Sequence, residues 1–254
     1  MGDSLQGAGT LHGLSRHLST GPARARLRDA RLYLVTDSLR REGDSPADRD
    51  ALTRLHATVA AALDGGVDVV QFRDKGAVPD RFGALSVADE IAVHRRLRDL
   101  CHRHGALYAV NDRADVALAV GADVVHVGQD DVPVDVVRRI VGPEVVVGLS
   151  CHTPGQVDAA AADPDVDYFC TGPVWTTPTK PGRAAVGTAL VRHGAAASRD
   201  TGTPFFAIGG IDAASVGEVV SAGARGIVVV RAVAAAADPA AAARTLRTAV
   251  TARD

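Results

Sequence analysis

Short runs of β-branched and aromatic residues recur eight times along this chain of 254 residues. Each is followed by an Ala-, Leu- and Arg-rich stretch of helical length. The pattern predicts strands at residues 32–36, 67–72, 107–110, 124–127, 145–149, 168–170, 204–208 and 226–230. Helices are expected at 51–63, 85–104, 113–120, 134–141, 154–162, 189–199, 213–222 and 240–251. The strands are apolar throughout rather than alternating, as parallel strands buried on both faces must be. Glycines stand just past several helices, and the phrase Gly-x-Asp leads into a strand at Gly66–Asp68 and again at Gly121–Asp123. Eight such units predict one α/β domain over residues 31–254, a (β/α)8 TIM barrel. An open doubly wound sheet is the competing fold. It would carry a G-x-G-x-x-G after its first strand and gather its polar motifs near one switch point; here they are spread over nearly every strand end. The first thirty residues, rich in Gly, Ser and Arg, lack periodicity and read as a flexible N-terminal extension.

A net charge of -2 argues against a nucleic-acid binder, which would need a basic face. No apolar run is long enough to span a bilayer, and the first residues do not resemble a secretory signal. Three cysteines, none in a C-x-x-C pair, suit reduced thiols, so a cytoplasmic protein is expected, with no membrane or nucleic-acid partner. Oligomeric state is left open. The only two lysines, Lys75 and Lys180, and the only asparagine, Asn111, lie in segments that follow strand ends. Every other cation is arginine, and a lysine ammonium is a compact point charge where arginine is a planar fork. Survival of lysine at two such places points to chemistry.

The strand-end segments carry the candidate site. Gln71, Arg73 and Lys75 share one side of strand two, inward at a barrel mouth, and suit an anionic ligand; a strand terminus salt-bridged through Asp74 is the plainer reading. Asp112 after strand three and Asp130-Asp131 after strand four place carboxylates on adjacent tips, which favours a hard divalent ion such as Mg²⁺. Capping of the next helix is an equal role for Asp112, and chemistry alone does not separate Asp130 from Asp131. His126, inside an apolar strand, reads as a core or supporting histidine. Ser150 suits donation to a phosphate; pairing with His152 as a nucleophile lacks a third member. Residues 171–183 form a Pro- and Thr-rich loop of the kind that closes over a ligand, with Lys180 flanked by Thr177 and Thr179. Trp175 either stacks on a substrate or packs on the rim. Gly209-Gly210 and residues 228–231 fall where such barrels usually hold phosphate. Two anion sites, one metal-assisted, imply two phosphorylated substrates.

From about Arg31 onward the chain resembles the thiamine-phosphate synthase family. The resemblance rests on QFRDK (71–75), AVNDRADVA, HVGQDD, GLSCHT, TGPVWTTPTK, AIGGI and GIVVVRAV, in order. Members are (β/α)8 barrels that join 4-amino-2-methyl-5-pyrimidinylmethyl diphosphate to a thiazole phosphate, releasing pyrophosphate; acceptance of the carboxylated thiazole is left open. The resemblance implies that Gln71, Phe72, Arg73, Asp74, Lys75, Asn111, Ser150 and Lys180 hold the pyrimidine diphosphate. It assigns catalytic roles to Arg73, Lys75, Lys180 and Ser150, and Mg²⁺ to Asp112 and Asp131. Thr177, Thr179, Gly210, Val230 and Arg231 would take the thiazole phosphate, Arg231 standing where the family often has serine. It further implies a dissociative substitution with no protein nucleophile. A thiazole tautomerase of similar fold and a non-catalytic phosphate-binding barrel are the rival readings; neither needs the diphosphate and metal residues together.

Overall fold

A computed structural model describes residues 21–40, 49–74, 85–177 and 184–252. Eight parallel strands close in chain order: β1 (Leu32–Thr36), β2 (Val69–Phe72), β3 (Leu107–Asn111), β4 (Val124–Val127), β5 (Val146–Cys151), β6 (Tyr168–Thr171), β7 (Phe205–Ile208) and β8 (Ile227–Val229). Strand β8 returns to pair with β1. The described helices are α1 (Pro22–Asp29), α2 (Arg49–Asp64), α3 (Val87–Arg103), α4 (Ala114–Val120), α5 (Val134–Val141), α6 (Pro154–Ala162), α7 (Gly187–Thr201), α8 (Val216–Ser221), α9 (Arg231–Ala234) and α10 (Pro239–Thr251). The expected (β/α)8 barrel is what forms.

The two-residue period of each strand feeds two cores. Tyr33, Val69, Leu107, Val124, Val146, Tyr168, Phe206 and Val228, one from every strand, fill the barrel itself. Their chain neighbours Leu34, Val70, Tyr108, Val125, Val147, Phe169, Ala207 and Ile227 face the helices. Three large rings therefore meet inside the barrel, with Tyr33 5.8 Å from Phe206 and Tyr168 5.7 Å from it, centroid to centroid. Such rings fit only where the paired position on a neighbouring strand is bare. A Cβ added at Gly148 would lie 2.2 Å from the Tyr168 ring, and one at Gly226 would lie 2.5 Å from Phe206.

The repeated Gly-x-Asp phrase has a structural cause. The carboxylate before β2, Asp68, accepts the N–H of Leu32 at the start of β1 (3.0 Å). Asp123, before β4, accepts from Tyr108 in β3 (2.8 Å), and Asp167, before β6 in an Asp-Val-Asp that lacks the glycine, does the same for Val147 in β5 (2.8 Å). Each of these aspartates ties its own strand's start to that of the preceding strand. Each also has a cationic or imidazole partner: Arg247 for Asp68, His102 for Asp123, and both Arg24 and Arg138 for Asp167.

Two expectations are corrected. The extension read as flexible includes a helix, α1, over its last turns. Pro22 stands at the helix start, Leu27 is buried against the inner core at the barrel's N-terminal end, and Arg24 reaches Asp167 at 2.7 Å. These contacts, not local periodicity, make it a helix. Residues 1–20 lie outside the described residues. The helix expected from residue 213 begins at Val216, because Asp212 forms a turn first. Its Oδ1 accepts from the N–H groups of Ala214 and Ser215 and from the Ser215 hydroxyl, which holds its pKa below the ordinary carboxylate value.

Candidate active site

All strands run the same way, so the segments that follow them emerge at one mouth. On the β2–β4 side, the guanidinium of Arg73 interacts electrostatically with both Asp112 and Asp131. Burial lowers the Arg73 pKa, and the two carboxylates offset part of that effect. The three side chains thus form one charged cluster, half-buried and open to the mouth. Asp112 has φ +60°, a left-handed conformation that non-glycine residues rarely adopt. Its N–H donates to His126 O at 2.8 Å, which extends the β3–β4 ladder past the strand ends. Helix α4 has Arg113 at its N-cap with no side-chain cap bond. Asp131 is fixed differently: its Oδ2 accepts the N–H of Gly128 at 2.8 Å. Asp130 is exposed.

Asp112 and Asp131, both within electrostatic reach of Arg73, are hard oxygen donors of the type Mg²⁺ takes, the remainder of whose ligands would come from water and substrate oxygens. Among the described residues no group of three or more His, Cys, Asp or Glu side chains stands ready for a metal.

On the β5–β8 side lies a cavity of about 300 Å³. Ser150, Thr177, Gly210, Val230 and Arg231 all line it. Gly209 and Gly210 both have positive φ (106° and 69°), and Gly209 O accepts from Trp175 N at 3.0 Å. Trp175 packs on the rim against the outer core. His152, also in the lining, bonds through Nδ1 to Gly172 O rather than to Ser150. The partner of Ser150 is His126, whose Nε2 lies 2.8 Å from Oγ. Gln129, which nothing in the sequence singled out, donates to the Ser150 carbonyl at 2.8 Å.

Other expected residues are set apart from these two groups. The Phe72 side chain points outward, its ring 5.3 Å from that of His94 in α3. Asp74 forms a buried ion pair with Arg40 at 2.9 Å. Gln71 is buried in the barrel, bonded to Tyr33, and Asn111 ends β3 half-buried. Lys75, Thr179 and Lys180 lie outside the described residues.

Fold and mouth together define a (β/α)8 barrel enzyme with its polar side chains gathered beyond the C-terminal strand ends. Residues 32–233 match the family model for thiamine monophosphate synthase. A thiamine-phosphate synthase of Saccharopolyspora erythraea is 56% identical over 227 residues, 89% of this chain and 95% of that protein. One of Mycobacterium tuberculosis is 55% identical over 229 residues, 90% and 98% of the two chains. In three dimensions, the thiamine phosphate pyrophosphorylase of Pyrococcus furiosus superposes with a TM-score of 0.71 at 30% identity, covering 89% and 96% of the two chains. The chain belongs to the thiamine monophosphate synthase family, and it is a transferase.

Proposed function

We propose that this chain joins 4-amino-2-methyl-5-pyrimidinylmethyl diphosphate to a thiazole phosphate, giving thiamine phosphate and pyrophosphate. The observation that carries the reading is the division of the mouth into a charged cluster, Arg73 with Asp112 and Asp131, and a separate cavity lined by Ser150, Thr177 and Gly210. Full-length relatives that bear this activity in their names support it.

The chain's own groups do the following in this reading. Arg73, with Lys75 and Lys180, neutralises charge that builds on the departing diphosphate, where fixed cations in a dry site act most strongly. Asp112 and Asp131 would hold Mg²⁺, which when bound would supply Lewis-acid stabilisation of the same leaving group. Bond breaking leads bond making, so no protein nucleophile is required. The pyrimidine cation is captured by the thiazole nitrogen, and the cavity on the β5–β8 side holds that ring in line, converting an encounter into a local step. Thr177, Thr179 and Gly210, with the backbone of Val230 and Arg231, take the thiazole's phosphate.

The test supplies both substrates and follows thiamine phosphate by chromatography, with and without EDTA. Product should form, stop with the chelator and return with added Mg²⁺. Isomerisation of the thiazole without condensation would make the chain a tautomerase instead. Condensation untouched by EDTA would remove the metal from the reading.

A further inference from the structure

One unbroken chain of buried polar groups crosses the barrel interior between Gln71 and Ser150. Gln71 Nε2 donates to Tyr33 Oη at 2.7 Å. Tyr33 Oη lies 3.3 Å from Tyr168 Oη, which lies 3.0 Å from His126 Nδ1. The other imidazole nitrogen of His126 is 2.8 Å from Ser150 Oγ. Tyr33 and Tyr168 are 1% and 0% exposed, so water does not complete their hydrogen bonding. Space for the central link is built in, since a Cβ at Gly148 would lie 2.5 Å from the Tyr168 hydroxyl. Burial pushes both phenols well above their ordinary pKa, so each keeps its proton.

A phenol has one proton, and a neutral imidazole donates from one nitrogen and accepts at the other. The protons along the chain are therefore ordered in common. With Gln71 donating to Tyr33, Tyr33 donates to Tyr168, Tyr168 to Nδ1 of His126, and Nε2–H to Ser150. That leaves the Ser150 O–H to donate into the cavity and the Gln71 Oε1 as an acceptor. With the Gln71 amide as fixed donor, the reverse order would leave the Tyr33 proton with no acceptor in the chain and would turn a Ser150 lone pair toward the ligand.

We propose that Tyr33, Tyr168 and His126 are positioning residues that lock Ser150 as a hydrogen-bond donor toward the substrates. The inference rests on the reading above that Ser150 faces an anionic substrate, since an anion selects the donating register. Within that reading it extends the site by three side chains, two of which have no access to the ligand.

The test is a double-mutant cycle on the full chain. Tyr168→Phe deletes the central hydroxyl and keeps the ring. It should lower kcat/KM about tenfold, the loss of about one charge-assisted hydrogen bond. Ser150→Ala should lower it at least as far. In Ser150→Ala, the added Tyr168→Phe should change nothing further, because the residue it acts through is gone. A purely structural tyrosine would give losses that multiply, and that result overturns the proposal. So does Tyr168→Phe at full turnover beside a damaged Ser150→Ala. If Ser150→Ala itself turns over normally, the site reading fails first and the positioning role with it. Should Tyr168→Phe not fold, Tyr33→Phe carries the same cycle one link further out, with roughly a threefold loss expected.

Discussion

Asp112 holds a left-handed backbone where strain has a use. The conformation is less costly for Asp and Asn than for other side-chain-bearing residues, and it carries the carboxylate beside Arg73. Asp112→Asn keeps that backbone preference and removes only the charge. Turnover should fall roughly a hundredfold while the thermal midpoint stays close to that of the parent. Normal turnover would overturn the metal role proposed for Asp112. His94 is a residue whose effect lies in stability. It bonds Tyr108 Oη at 2.7 Å, and burial, with Arg113 adding to it, pushes its pKa down to about 4. Glu90, 3.8 Å away, is the nearest anion that would favour its protonation. Between the ordinary value of 6.5 and about 4, the unfolded chain binds a proton that the folded chain does not. Stability should therefore drop as pH falls through that window, by up to about 3 kcal/mol. Urea midpoints at pH 7 and pH 4.5 measure it, and His94→Gln should flatten the decline.

At the scale of elements, the strand-start aspartates are not equivalent. Asp167 sits between two arginines and holds a strand N–H, whereas the histidine partner of Asp123 is largely exposed. Asp167→Ala takes the carboxylate from the buried Arg24 and leaves Arg138 only its longer pair with Asp165 (3.7 Å), and should cost about 3 kcal/mol; Asp123→Ala should cost about 1 kcal/mol. Equal losses by denaturant unfolding would mean that the strand N–H bond, common to both, is all that matters. The sequence already carried this phrase and the eight strands, since apolar runs bounded by glycine are a local signal. It also carried the direction of Gln71 and Arg73, which follows from the period of a strand. What it did not carry depends on closure. Tyr33 and Tyr168 are 135 residues apart and Tyr168 and His126 are 42 apart, so no local pattern joins them. Helix α1 escaped for a related reason: only Arg24 and Leu27 of its residues are buried, and their partners are distant. The Phe72 side chain, inside a motif that reads as one unit, follows the strand period and turns away from the mouth.

The whole molecule separates its two tasks along the barrel axis. The N-terminal end holds α1, the aspartate ties and their arginines; the C-terminal end holds the Arg73 cluster and the cavity. Barrels of this kind tolerate change in the mouth because the other end fixes the fold. The division predicts that damage at one end leaves the property of the other intact. Leu27, 1% exposed beneath the inner core, is the probe at the N-terminal end. Leu27→Ala should cost about 3 kcal/mol, or roughly 5–10 °C in Tm for a chain of this size. The KM for either substrate should not change in protein assayed well below the new Tm. Asp112→Asn should give the opposite pair of results, lost turnover at an almost unchanged Tm. A Leu27→Ala variant with weakened substrate binding would mean that the inner core passes strain from one end to the other. The Tyr33 and Tyr168 rings, which belong to the same inner core as Leu27, would be the route to examine.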